Sequence, residues 1–453
     1  MHADIARDSF TPEPYRRLVW LQGRVLLESD LNLQTTTLLR SMQQMMRDIV
    51  GPFGGPDDAC GFRIDQVGGV QELAKNKDPE GLRLSNFILQ PPNPKVPKKT
   101  EWRVWPGRYY VQGLEVSTDS PRVLPTEVER WDEQIRDGGV IVYLDAWEHY
   151  VSPQAEPRLL DAALRGIDTT GRTRIVWRVR VAAVDWATRD EVYTNWDAWV
   201  AKNLATSAPA PRLMAASKPD DADAEAGLGP TEPSYTGENR LYRVEVHQVS
   251  GGPETNGLPA KLKWSRDNGS VLYRIMDVDE RRITLESLGA DTQLALQRGD
   301  WVELIKDGRA APPDAAGPLY QVEAEPDADS NSITLKDSTL SPNDFIREVS
   351  LLRRWDDGAS NDRHDGLIPM TDPESSFKLE HGLELKFDKT GTFRAGDYWL
   401  IPARTGIGLD SNAVGADGVP AAGGRHYYAP LALIEKTNKT LIDLRKRIKP
   451  LAT

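Results

Sequence analysis

From Gly61 to Ile434 the chain is written in short runs of β-branched and aromatic residues separated by Gly, Pro and Asp. Branched and ring side chains fit a pleated surface, while Gly and Pro interrupt it, so the pattern predicts consecutive antiparallel strands. Gly61-Phe-Arg-Ile-Asp65, Leu82 to Leu89, Trp102-Arg-Val-Trp105, Gly107 to Val116 and Gly139 to Glu148 form the first series. Arg174-Ile-Val-Trp-Arg-Val-Arg-Val181 alternates Arg with apolar residues, the period of a half-buried strand. Leu241 to His247, Leu383 to Phe387, Tyr398 to Ile401 and Tyr427 to Ile434 carry the pattern onward.

Between Val271 and Leu340 the runs are shorter and evenly spaced, with Gly-Asp turns between them, which predicts a small β-barrel module inserted in a larger sheet. Composition shifts at Ser207 to Ser234, where Ala, Pro, Asp and Gly dominate and apolar periodicity vanishes, as in a linker. The expected organisation is therefore an arm and helix over residues 1–56, a first antiparallel β domain over 57–206 and a loop or linker over 207–234. A β segment over 235–270, the barrel-like module over 271–340 and a C-terminal β segment over 341–453 complete it. Leu441 to Ile448 is short and charged, and reads as no more than a terminal helical turn or two.

One stretch departs from the strand pattern. Leu31, Leu38, Met42, Met45, Met46 and Ile49 recur at intervals of three, four and seven, the signature of an amphipathic helix. Ser29 and Asp30 are residue types that cap a first helical turn, and Gly51-Pro52 ends the helix. The Leu/Met stripe has two readings: it packs on its own domain, or it docks a neighbouring subunit, a use to which the adaptable Met side chain is suited. Ahead of it, Phe10-Thr-Pro-Glu-Pro14 reads as an extended arm, because closely spaced prolines exclude helix.

Leu21-Gln-Gly-Arg-Val-Leu-Leu-Glu-Ser-Asp-Leu-Asn-Leu-Gln34, with the helix and Gly51-Pro-Phe-Gly-Gly55 after it, resembles the opening of a domain family of unknown function found in gene clusters for phage tail-like contractile injection systems. It is also similar to the opening of some phage baseplate and tail-fibre proteins. Glu238 to His247, Lys263-Trp-Ser-Arg-Asp-Asn-Gly269, Gly299-Asp-Trp-Val-Glu-Leu304 and Gly396 to Arg404 resemble the same family, in order along the chain. The resemblance implies a structural component of such a particle, present in several copies or as a homo-oligomer and partnered by other particle subunits. It carries no known activity. The residues it marks for assembly are Leu21, Gly23, Arg24, Asp30, Asn32 and Gln34, to which the stripe adds Met42 and Met45.

Composition narrows the alternatives. A net charge of -12 argues against nucleic-acid binding, which needs concentrated Lys and Arg; the one basic cluster, Arg445 to Lys449, has the reach of a single tail. Cys60 stands alone, so no intrachain disulfide forms, and it reads as a small buried apolar residue. The N-terminus lacks the pattern of a secretory signal, and no apolar run approaches the roughly 18 residues that span a bilayer. Cytoplasmic synthesis, followed by release with an assembled particle, is the expectation.

Asp145, His149, Asp356, Asp357, Asp362, His364 and Asp365 are the residues from which a catalytic or metal site would have to be built. The run Asp356 to Asp365 lacks the Gly and Glu positions of an EF-hand and the His pairing of a zincin, and a solvated loop accounts for it. The expectation is no catalytic residue, cofactor or metal. Trp102, Trp147, Trp177 and Trp301 lie within strand patterns, where rings fill cores; exposed rings would instead favour a carbohydrate- or receptor-binding module. A polysaccharide-active enzyme would need two carboxylates converging in a cleft.

Overall fold

The computed structural model describes residues 16–68, 100–123, 139–164, 169–204, 210–217, 235, 237–251, 256–289, 294–307, 316–338, 340–341, 345–346, 349–356, 365–405, 408–409, 417–422, 425–435 and 440–449. Among the described residues strand accounts for 45% and helix for 13%, so the protein is mainly β, as the run pattern predicts. The proline arm, Leu82 to Leu89 and most of the 207–234 segment lie outside the described residues. The chain forms two compact units.

One unit comprises the described residues of Thr11–Glu148, Ile175–Ser207 and Arg425–Thr453. Its central element is residues 139–148 of the strand Gly139–Val151, which is buried along its first nine residues and pairs with His426–Glu435 on one side and Arg172–Val184 on the other. Phe53–Pro56 lies between Gly107–Val111 and Arg447–Ile448, the latter in parallel. Leu441–Asp443 pairs with His426–Glu435. The helical turn expected at Leu441 to Ile448 is therefore replaced by two short strands, because each finds a distant edge to pair with. Nor is the basic cluster a free tail: Arg445 is buried and donates from Nη1 to the carbonyl oxygens of Cys60, at 2.8 Å, and Gly61. Cys60 is a free, buried thiol, and burial raises its pKa.

The helix α1 spans Glu28–Val50. Its first turn differs from expectation. Leu27, not Ser29 or Asp30, occupies the cap position, no side chain caps it, and Leu31 N–H reaches Leu27 O at 3.4 Å instead. Gly51, with φ +84°, ends the helix as its sequence suggests. A second helix, α2, spans Arg189–Asn203 and lies inside the segment read as purely β. Thr188 and Glu191 close a reciprocal capping box at its start, and Val192 and Trp196 are buried beneath it, with Trp199 stacked on Trp196 at 5.6 Å.

The other unit contains His149–Arg174 and Ala208–Gly424 among its described residues. Arg240–Val249 and Ala260–Ser265 pair antiparallel in a five-stranded sheet, flanked by Tyr398–Arg404 and Ile368–Met370. The barrel-like module is a curved six-stranded sheet, a half-barrel. Leu351–Trp355, from beyond residue 340, joins Trp301–Ile305 to Leu272–Asp279 at its centre. Leu213–Ser217, inside the stretch read as linker, is a strand paired with Leu383–Phe387. Five residues of Leu-Met-Ala-Ala-Ser are too few to show a period, and a distant partner makes the strand.

Thr188→Ala removes one member of the capping box, and helix caps of this kind contribute about 1 kcal/mol. A urea midpoint lowered accordingly, with an unchanged slope, is the expected outcome.

Candidate functional site

Two places carry side chains in arrangements that ordinary folding does not require. The first is the surface of α1. No residue of this helix is buried, and Leu31, Leu38, Met42, Met45 and Ile49 are each 53–61% exposed. The helix rests instead on a polar edge: Gln43 Nε2 donates to Gln112 O at 3.0 Å. Gly113 (φ +82°) permits the approach, since a Cβ there would fall 2.1 Å from Gln43 O. At 100° per residue, the apolar stripe is turned roughly 120° around the axis from this edge. The strand-like approach to the helix is exposed too, at Val19, Trp20, Leu21, Val25, Leu26 and Leu27.

Of the residues marked for assembly, Leu21, Gly23, Arg24, Asn32, Gln34, Met42 and Met45 are exposed and Asp30 is half-buried. Gly23 takes φ +72° in a turn whose Arg24 N–H reaches Leu21 O. Fully burying a Leu or Met side chain is worth about 1.5–3 kcal/mol, so the five exposed stripe residues forgo on the order of 5 kcal/mol that a covering surface would recover.

The second place is an ionic cluster inside the unit that holds residues 208–424. Alternation along Arg240–Val249 puts Arg243, Glu245 and His247 on one face and Tyr242, Val244 and Val246 on the other, where they join a hydrophobic core. Register places Lys263 opposite Glu245, and Tyr398 opposite Glu245 on the other side. In the half-barrel, Val302, Leu304 and Leu352 face a second core, while Trp301, Glu303, Arg353 and Trp355 project from the opposite face. Lys263, wholly buried, joins the two faces: its ammonium lies 3.1 Å from Glu245 Oε1, 2.8 Å from Glu303 Oε2 and 4.4 Å from the centre of the Trp355 ring. Trp355 Nε1 and the Gly317 N–H also donate to Glu303, at 2.8 and 3.0 Å. Arg243 donates to Glu245 from Nε at 2.7 Å and lies 3.6 Å from the Tyr398 ring.

Burial, the largest single influence, would raise both glutamates, yet the neighbouring cations together outweigh it: Lys263, Arg243 and Arg353 at Glu245, and Lys263 and Arg353 at Glu303. Glu245 is held down at about 2, and Glu303 is also lowered. All four of the later fragments that resemble one family thus contribute to this cluster: Arg243 and Glu245, Lys263, Glu303, and Tyr398. In the run Trp264 to Gly269, whose Asp-Asn-Gly residues suit a turn, Arg266 pairs within the unit, 3.2 Å from Asp356 and 2.9 Å from Glu380. The importance of Lys263 itself has only one signal in the sequence, a Lys inside a strand and followed by a core Trp.

The described residues among those considered for catalysis or metal are divided between the two units. Asp145 belongs to the unit containing Gly139–Val151 and is fully buried against Arg178 Nε at 2.8 Å and His426 Nδ1 at 2.6 Å. Asp356 and Asp365 belong to the other unit, and Asp365 pairs with Lys261 at 2.6 Å. Asp357, Asp362 and His364 lie outside the described residues. Among the described residues no group of three or more His, Cys, Asp or Glu is placed to hold a metal ion. Trp102, Trp147 and Trp301 are buried, and Trp177 is half-buried in an edge-to-face contact with Phe62, ring centres 5.0 Å apart.

These features define a mainly-β protein with an uncovered apolar helix and a charged junction between two sheets. The chain belongs to a family of unknown function (DUF6519), whose model matches residues 1–198 and 199–438. No curated protein and no solved structure matches it.

Lys263→Met strands two buried carboxylates, a change that typically costs about 3–5 kcal/mol, and Glu303→Gln in the same chain recovers part of that loss; urea denaturation of the full chain measures both. Asp356 gives a pH signature of its own. Burial, opposed by Arg266, lifts its carboxyl from an ordinary 3.8 to about 6, so the folded state holds the proton more tightly than the unfolded one. Its contribution therefore falls by about 3 kcal/mol as pH rises from roughly 4 to 6. Subtracting the melting profile of Asp356→Asn from that of the parent chain isolates this slope.

Proposed function

We propose that the chain is a structural, non-enzymatic component of a contractile, phage tail-like injection particle, of the baseplate, cap or fibre-accessory kind, acting by protein–protein docking. The observation that carries this reading is the apolar face of α1, which the folded chain leaves in solvent together with the segment from Val19 to Leu27. Exposed contiguous apolar surface of this extent marks an interaction site, and Met-bearing stripes suit a binding surface. The resemblance of Leu21 to Gln34 to baseplate and tail-fibre openings supplies the kind of partner. Several copies docked through this face on other particle subunits complete the proposal.

Support also comes from where the aromatic and acidic side chains lie. Trp147, Trp264, Trp355 and Trp399 are among the largest fully buried side chains, which leaves them unavailable as platforms for sugars. Glu245 and Glu303 meet around an ammonium rather than around a cleft. Among the described residues no helix is long and apolar enough to cross a membrane.

The double substitution Met42→Asp with Met45→Asp tests the reading. Because both side chains are exposed, folded stability changes by less than about 0.5 kcal/mol, whereas co-purification with sheath, tube and baseplate proteins is lost. Retained co-purification, or a large fall in melting temperature, counts against docking through this face.

A further inference from the structure

Counted over the described residues, the ionic cluster does not balance. Arg243, Lys263 and Arg353 bring three positive charges, and Glu245 and Glu303 bring two negative ones. His247 adds no charge at neutral pH, since burial and then Lys263 lower its pKa. Arg353 is where the excess resides. It stands directly opposite Glu303 in the half-barrel, the position from which a cross-strand ion pair ordinarily forms. Glu303, however, is taken by Lys263, Trp355 Nε1 and the Gly317 N–H. Among the described residues Arg353 has no hydrogen bond or ion pair, and its Nε is buried without a partner. His247 Nδ1 is in the same condition.

The surroundings suit an anion. A Cβ placed on Gly269 would lie 3.4 Å from Arg243 Cδ and from Trp355 Cη2, and 3.7 Å from Arg353 Cδ, so two arginine stems and one indole edge meet at this point. Arg353 is half-buried as a residue, with its Nε buried. A guanidinium presents a planar fork of donors that matches a carboxylate, sulfate or phosphate.

We infer that Arg353, beside Arg243 and Trp355, forms a binding site for one small oxyanion, which completes the charge balance of the cluster. The site is independent of the docking face on α1. Burial of the Arg353 guanidinium, which lowers its pKa against the pull of Glu303, agrees with a cation short of a counter-charge.

Thermal melting of the full chain in low-millimolar sodium sulfate, sodium acetate or sodium chloride at matched ionic strength tests this. Sulfate or acetate raises the melting temperature by about 3 °C over chloride in the parent chain, as ligand linkage requires. A response to sulfate alone identifies a tetrahedral oxyanion, and a response to acetate alone a carboxylate. Arg353→Met removes the response and, without anion, melts no lower than the parent, because it discards an unpaired charge. Arg353→Lys retains the charge without the fork and keeps a weaker response. No response in the parent, an equal response in Arg353→Met, or a collapse of Arg353→Met that is indifferent to anion overturns the inference.

Discussion

The ammonium of Lys263 is the interaction on which the unit holding residues 208–424 depends. Each of its two main sheets has one apolar face that builds a core and one face bearing charge. Burying the charged faces against each other would be prohibitive without a cation between the carboxylates, because an isolated buried ion costs several kcal/mol even after relaxation. Lys263 supplies that cation, and the indole N–H of Trp355 satisfies more of the Glu303 acceptor capacity. An apolar junction of similar volume could hold as firmly, but it would not distinguish one register from the next; charges in fixed rows admit only the alignment in which each meets its opposite.

The same economy of paired charge recurs elsewhere. Asp267, buried beneath the turn at Asn268-Gly269, accepts from Arg240 at 2.5 Å and lies 3.5 Å from Arg354. In the other unit, Asp145 ties Arg178 from one neighbouring strand to His426 from the other. A net acidic composition therefore conceals interiors where arginine and lysine are structural partners of buried carboxylates.

Local signals made part of this fold legible. Alternation in Arg240–Val249 and Arg172–Val184 reports strands because the period is a property of the strand alone. Gly51-Pro52 reports the end of α1 for the same reason. The Thr188 to Glu191 spacing, followed by Val192 and Trp196, was an equally local sign of α2 that strand-like neighbours obscured. Leu213–Ser217 and Leu441–Asp443 were not readable, since nothing in three to five residues says which distant edge they will join. The cluster shows the limit best. Alternating Arg243, Glu245 and His247 reads as a face turned to water, and only the half-barrel, contributed from 40 or more residues away, covers it.

The parallel pairing of Gly55 with Arg447 and of Pro56 with Ile448 sets a timetable for the chain. During synthesis, residues 208–424 emerge with every strand of their two main sheets in hand, whereas the first sheet of the other unit must wait for its last member. The oily helix beside that sheet precedes this last strand in the chain, so it is made before the sheet it lies against is complete.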